Sequence, residues 1–132
     1  SEQSLDARYT EMPAFGDILS ADEITKLVAH VRQISNQEFD ATLAVEGATL
    51  FADNCAACHG DAGEGSRDLG APRLNDAIWL YGGDEATLTE TITKARFGVM
   101  PAWSEEHRAA GGLSAGEIAA VAIYVHQLGG GE

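Results

Sequence analysis

Apolar residues recur at helical spacing in several stretches of the chain, and no stretch alternates as a half-buried strand would. Ile24, Leu27, Val28, Val31 and Ile34 make one stripe, with Ser20 as N-cap and Glu23 three positions on. That capping box opens a helix, and Asn36 lies past its end. A second stripe of Leu43, Gly47, Leu50 and Phe51 follows Asp40 and predicts a helix from there to about Asn54. Asp84 caps a third helix to about Phe97, with Leu88, Ile92 and Ala95 inward and Gly98 ending it. Ser114 and Glu117 form another capping box, ahead of Ile118, Val121, Ala122, Val125 and Leu128. A short helix is expected at Ala77–Leu80, started by Asn75 or Asp76 and closed by Gly82-Gly83. Gly60, Gly63 and Gly65 predict a tight loop. The reading is all-α, about four helices with long connections, and residues 1–10 read as flexible.

The first and last helices repeat each other. Caps and stripes share one offset of 94 positions, Gln33 and Gln127 included, and each copy is preceded by a Met-Pro-Ala-aromatic run. Met12-Pro13-Ala14-Phe15 and Met100-Pro101-Ala102-Trp103 are offset by 88, so the second copy has six extra residues within 104–112. This is an internal repeat of half a domain. Residues 1–39 therefore read as the end of a first domain plus a linker, and 40–132 as a second domain. Met12 would be exposed or used in packing, and no metal is assigned to it. Gly47 is unfavourable in a helix interior by about 1 kcal/mol, so it is expected at a close helix crossing, with Tyr124 as a partner for Phe51.

Chemistry concentrates at Cys55-Ala56-Ala57-Cys58-His59. C-x-x-C-H is the attachment signature of a c-type haem. Two thiols three positions apart can each add to a vinyl group of one porphyrin, and His59 then lies under the iron. One covalent haem c is expected, with Met100 on the second axial position and Pro101 holding Met100 extended. A redox C-x-x-C wants a βαβ setting. A structural zinc wants four ligands and would have to recruit two of His30, His59, His107 and His126. A structural disulfide is the remaining alternative. Arg73 is the first choice to neutralise a haem propionate, ahead of Lys94 and Arg96. Trp79 and Trp103 can donate an indole N–H to a propionate or pack on the ring, and packing is the reading for Trp103. His30, His107 and His126 read as surface residues rather than sixth ligands.

Charge narrows the partners. The 132 residues carry 21 acids against 8 bases, a net charge of −13. That excludes nucleic acid, whose binding rests on cationic contacts, and contact of these residues with anionic lipid. It favours a basic protein partner, or simply keeps the chain soluble. Aromatics are only 7% of residues, so a haem would supply much of the apolar core. No apolar run approaches the ~20 residues of a membrane span, and residues 1–10 do not read as a signal peptide. The expectation is a mature form or an excised soluble fragment, periplasmic because haem of this kind is attached outside the cytoplasm.

Residues 40–132 resemble a class I cytochrome c through Gly47-x-x-x-Phe51-x-x-x-Cys55-x-x-Cys58-His59, Ala71-Pro72-x-Leu74, Met100-Pro101 and Tyr124 in the final helix. The resemblance implies that the first and last helices of the domain cross at the glycine and the aromatics. It also implies that the Pro72 carbonyl accepts the His59 N–H, fixing its tautomer. Asp76–Asp84 and Gly98–Trp103 are similar to the second haem domain of the dihaem subunit III, CcoP or FixP, of cbb3-type oxidases, and residues 12–16 resemble the end of that subunit's first haem domain. This implies electron transfer without substrate chemistry, from a soluble basic cytochrome c towards the oxidase core. It also implies other oxidase subunits as partners and an intact subunit anchored in the inner membrane. A free-standing periplasmic carrier is one alternative, and a haem-based gas sensor or enzyme is another if Met100 is not a ligand.

Overall fold

The computed structural model describes residues 11–98, 101–108 and 110–129, so the expectations for residues 1–10 and for Met100 lie outside the described residues. The chain divides into two compact units, one ending at Phe97 and the other beginning at Gly98. Among the described residues every regular element is helical, apart from two isolated bridges. None of these helices is long and apolar enough to cross a membrane.

The first unit opens with a 3-10 turn at Phe15–Asp17, which the hydropathy pattern did not predict. Helix α1, Ala21–Ile34, starts where the capping box placed it: the Ser20 N–H donates to Glu23 at 2.8 Å and the Glu23 N–H to Ser20 Oγ at 3.3 Å. Its stripe of Ile24, Leu27, Val28 and Val31 is buried. Helix α2, Ala41–Asn54, is capped by Asp40, which accepts from Thr42 and Leu43. Its inward face is centred on Ala44, Gly47 and Phe51, while Leu43 and Leu50 stay half-buried.

Helices α1 and α2 are joined by residues 35–40 and cross at Gly47. A Cβ on Gly47 would lie 2.6 Å from the Lys26 carbonyl carbon and closer still to its oxygen, so glycine alone allows this approach. Within this unit the ring of His30 of α1 meets Phe51, 5.1 Å between centroids; the expected partner Tyr124 belongs to the second unit. Lys26 adds an ion pair to Glu46 of α2 at 2.8 Å, and Arg32 one to Glu85 at 2.9 Å. The compact unit therefore runs across the boundary drawn at residue 39, with Phe15, Leu27, Phe51, Leu88 and Ile92 in one core.

Two local expectations differ from the structure. Residues 77–80 are not helical: the Asp76 carboxylate accepts from the Ile78 N–H at 2.9 Å, a local bond that competes with helix formation. Helix α4, Glu85–Lys94, stops three residues short of Phe97 because Ala95 takes a φ of 57°. Arg96 then turns back to Thr91 and Glu90, at 2.9 and 3.0 Å. Between α2 and α4, the single turn Ala56–His59 is helix α3.

The α1–α2 contact has a pH signature. Burial lowers the His30 pKa below the ordinary imidazole value, with a bond to Gln33 opposing it. The unfolded chain thus takes a proton below about pH 6.5 that the folded chain declines. Stability is full above that pH and falls as the pH drops through the folded value. Melting temperatures measured from pH 8 to 5 should fall in the parent and fall less in His30→Tyr, the residue the second repeat carries at this offset. Parallel curves for the two proteins would show that His30 is not held neutral.

The second unit contains helix α5, Ala115–Leu128, opened by the predicted Ser114–Glu117 capping box. The Leu113 N–H donates to the Trp103 carbonyl at 2.6 Å, and Arg108 lies over the Trp103 indole, 4.2 Å from its centroid. No other helix of this unit is among the described residues, and Val121, Tyr124, Val125 and Leu128 are each more than half exposed.

Candidate functional site

Helix α2 delivers the site. It ends at Asn54, Cys55 caps it, and the α3 turn carries the chain from Cys55 to His59 through a 2.9 Å bond from the His59 N–H to the Cys55 carbonyl. Cys55, Cys58 and His59 line one cavity of about 310 Å³. That lies within the roughly 300–1,000 Å³ of ligand pockets. Its walls are apolar: Leu27 and Val31 from α1, Phe51 from α2, Leu88 and Ile92 from α4, and Leu74 and Trp79 from the connecting loop.

His59 is 8% exposed, with Nδ1 2.9 Å from the Pro72 carbonyl oxygen. A carbonyl only accepts, so Nδ1 carries the hydrogen and the neutral ring keeps its lone pair on Nε2. The loop is folded to make that contact. Ser66 and Ala71 exchange backbone bonds of 3.0 and 2.9 Å, the Gly65 N–H donates to His59 O, and the Leu74 N–H donates to Gly63 O, both at 2.7 Å. Gly65 has a φ of +78°, and a Cβ there would meet Ala71 O and Arg73 N at 2.8 Å. Any other residue would push the Pro72 strand off His59.

Both thiols are free. Burial pushes the Cys55 thiol up to about 11, with neighbouring Cys58 adding to the rise, while Cys58 itself is exposed. Of the other residues the sequence nominated, Arg73 is exposed and lines the cavity. Trp79 lines it too, half-buried, with its indole against Gly83. Arg96 also lines it and is better anchored than Arg73: besides its bonds to Thr91 and Glu90, it lies 4.7 Å over the Tyr81 ring. Lys94 pairs with Glu90 at 3.4 Å and is largely exposed. Trp103 belongs to the second unit, and Met100 is outside the described residues.

Of the two readings of Met12, exposed or used in packing, the structure has the second: Met12 is half-buried against the core. That Met12, Pro13 and Phe15 line the cavity together with the α1 face was not foreseen. The Met-Pro-Ala-aromatic run carried the signal, but periodicity does not say that such a run faces a cavity.

This donor set fits a haem c: two thiols to form thioethers, an imidazole with Nε2 available, and apolar walls for a flat macrocycle. The family model described as cytochrome c matches residues 44–129. Over 129 residues the chain is 60% identical to the cbb3-type cytochrome c oxidase subunit CcoP of Cereibacter sphaeroides, covering 96% of this chain and 42% of that protein. It is 50% identical over 124 residues to the CcoP subunit of Rhodobacter capsulatus, covering 92% of this chain and 42% of that protein. It is 48% identical over 122 residues to the FixP subunit of Azorhizobium caulinodans, covering 92% and 40%. The chain thus spans about two fifths of the length of the curated relatives it matches.

Proposed function

The chain belongs to the cytochrome c family, and on that premise we propose that it is an electron-transfer module holding one covalent haem c, acting as part of a cbb3-type oxidase subunit. The observation that carries the reading is the His59 Nδ1–Pro72 carbonyl bond beside two free thiols in one apolar cavity. When bound, haem c supplies an iron that passes between its ferric and ferrous states. Cys55 and Cys58 would hold the ring through thioethers, and His59 would offer Nε2 to the iron. The Pro72 carbonyl fixes the tautomer of His59 and raises its basicity. Met100 would supply a second ligand, a thioether that favours the ferrous state and raises the potential, and Pro101 after it would favour an extended Met100. Phe51, Leu88 and Ile92 keep water from the cavity, which also tunes the potential. Arg73 and Arg96 offer positive charge to propionates, and Trp79 and Trp103 offer packing surface or an indole donor.

The acidic surface suits a basic, soluble cytochrome c as donor. The names of the relatives, subunits of cbb3-type cytochrome c oxidases, support other oxidase subunits as partners; a periplasmic location and a membrane-anchored intact subunit complete the reading. The test is the visible spectrum of the purified protein, oxidised and reduced, with a haem stain after denaturation. A covalent haem with the weak far-red band of sulfur-ligated ferric iron is expected. A covalent haem that lacks the band and binds carbon monoxide would point instead to an open sixth site.

A further inference from the structure

We propose that Thr91 of α4 is a positioning residue: its hydroxyl holds Arg96 at the cavity wall, where the fixed guanidinium charge sets the potential of the haem. This rests on the haem c reading above and deepens it. Thr91 and Arg96 both line the cavity, and the Arg96 Nε–H donates to Thr91 Oγ1 at 2.9 Å. The Thr91 hydroxyl has one hydrogen to give, and it goes to the Thr87 carbonyl at 2.8 Å. The oxygen is thereby left to accept, and the group it accepts from is the guanidinium. Thr87, Thr89 and Thr93 of the same helix do not line the cavity.

Three more contacts or constraints hold Arg96. Its Nη2 donates to Glu90 at 3.0 Å, a carboxylate shared with Lys94. Its guanidinium lies 4.7 Å over the ring of Tyr81, which also lines the cavity. Ala95 takes φ 57° and ψ 169°, a conformation that residues with a Cβ adopt only where their surroundings enforce it. The Thr91–Arg96 bond closes across that corner and supplies the enforcement. Of the five guanidinium donors, those on Nη1 have no partner among the described residues, so they are available to a carboxylate such as a propionate. Arg73 lines the cavity as well, but it is exposed and its side chain bonds to none of the described residues. A positive charge beside the iron favours the ferrous state and raises the potential, and its effect falls with distance and solvation. A guanidinium held in place therefore counts for more than one free in water.

The midpoint potential of the haem-loaded protein tests this, because Thr91→Val changes no charge. A methyl in place of the hydroxyl makes the wall more apolar, which by itself favours the less charged ferrous state and raises the potential. Loss of the Arg96 anchor acts with the opposite sign. Thr91→Val should lower the potential by about half or more of the drop seen in Arg96→Gln. Thr91→Ser keeps the hydroxyl and should restore the parent value, and Arg73→Gln should stay close to it. The double variant Thr91→Val/Arg96→Gln should lie no lower than Arg96→Gln alone, since Thr91 acts through Arg96. A Thr91→Val potential at or above the parent's overturns the positioning role, as does a further drop in the double variant. A drop in Arg73→Gln as large as in Arg96→Gln overturns the choice of Arg96. A parent protein with no covalent haem overturns the haem reading itself, a result distinct from these. Circular dichroism confirms that the proteins compared are folded.

Discussion

Substituting His59 with alanine is expected to lower the recovery of covalently bound haem by more than about tenfold, because loss even of a ligand's outer partner costs 10–100-fold in metal affinity. Two features make the effect large. His59 is buried at the end of α3 with its ring oriented by the Pro72 carbonyl, so the imidazole is held in place. Its removal also leaves the Pro72 carbonyl without its donor, and the loop drawn in by Gly65 loses one of its ties. The haem that remains should be high-spin and should bind carbon monoxide. The haem-to-protein ratio and the reduced spectrum check both points. A His59→Ala protein with full haem and an unchanged low-spin spectrum would remove His59 from the iron and require His30, His107 or His126 instead.

Gly47→Ala tests the architecture rather than the chemistry, and there two effects compete. Alanine is the better helix former by about 1 kcal/mol. Against that, its methyl would lie 2.6 Å from the Lys26 carbonyl carbon and 3.0 Å from the His30 Cβ. The first neighbour is backbone in the interior of α1 and cannot move without the whole helix. Overpacking of this kind costs about 1–3 kcal/mol or more, so the clash should win. A net loss of about 2 kcal/mol would lower the melting temperature by roughly 5–10 °C in a protein of this size. The wall of the cavity should loosen with it, since Leu27 and Val31 of α1 line it. A melting temperature that rises, as propensity alone dictates, would mean that α1 does not cross α2 at this residue.

Much of the fold was legible because its signals are local. The capping boxes at Ser20–Glu23 and Ser114–Glu117, and the aspartate caps at Asp40 and Asp84, place four helix starts correctly. These bonds close within three residues and need no distant partner. The Cys55–His59 run is as local, and one turn brings its three functional side chains to one cavity. Prediction failed where a side chain diverts a short segment from the helix its pattern allows. Asp76 captures the Ile78 N–H, and Ala95 turns the chain so that Arg96 reaches back to Thr91. Bonds of that kind leave no period in the sequence.

By itself the sequence determined the helices, the two thiols, the histidine and the fact of a repeat. That α1 packs on α2 at Gly47, and that Met12 lines the cavity beside His59, only the tertiary structure decided. The apolar stripe of α1 says that one face is buried but not against what. The link 35–40 makes α1 the neighbour of α2 along the chain, and short closures cost the least conformational entropy. Lys26 and Arg32 then bond α1 to Glu46 and Glu85.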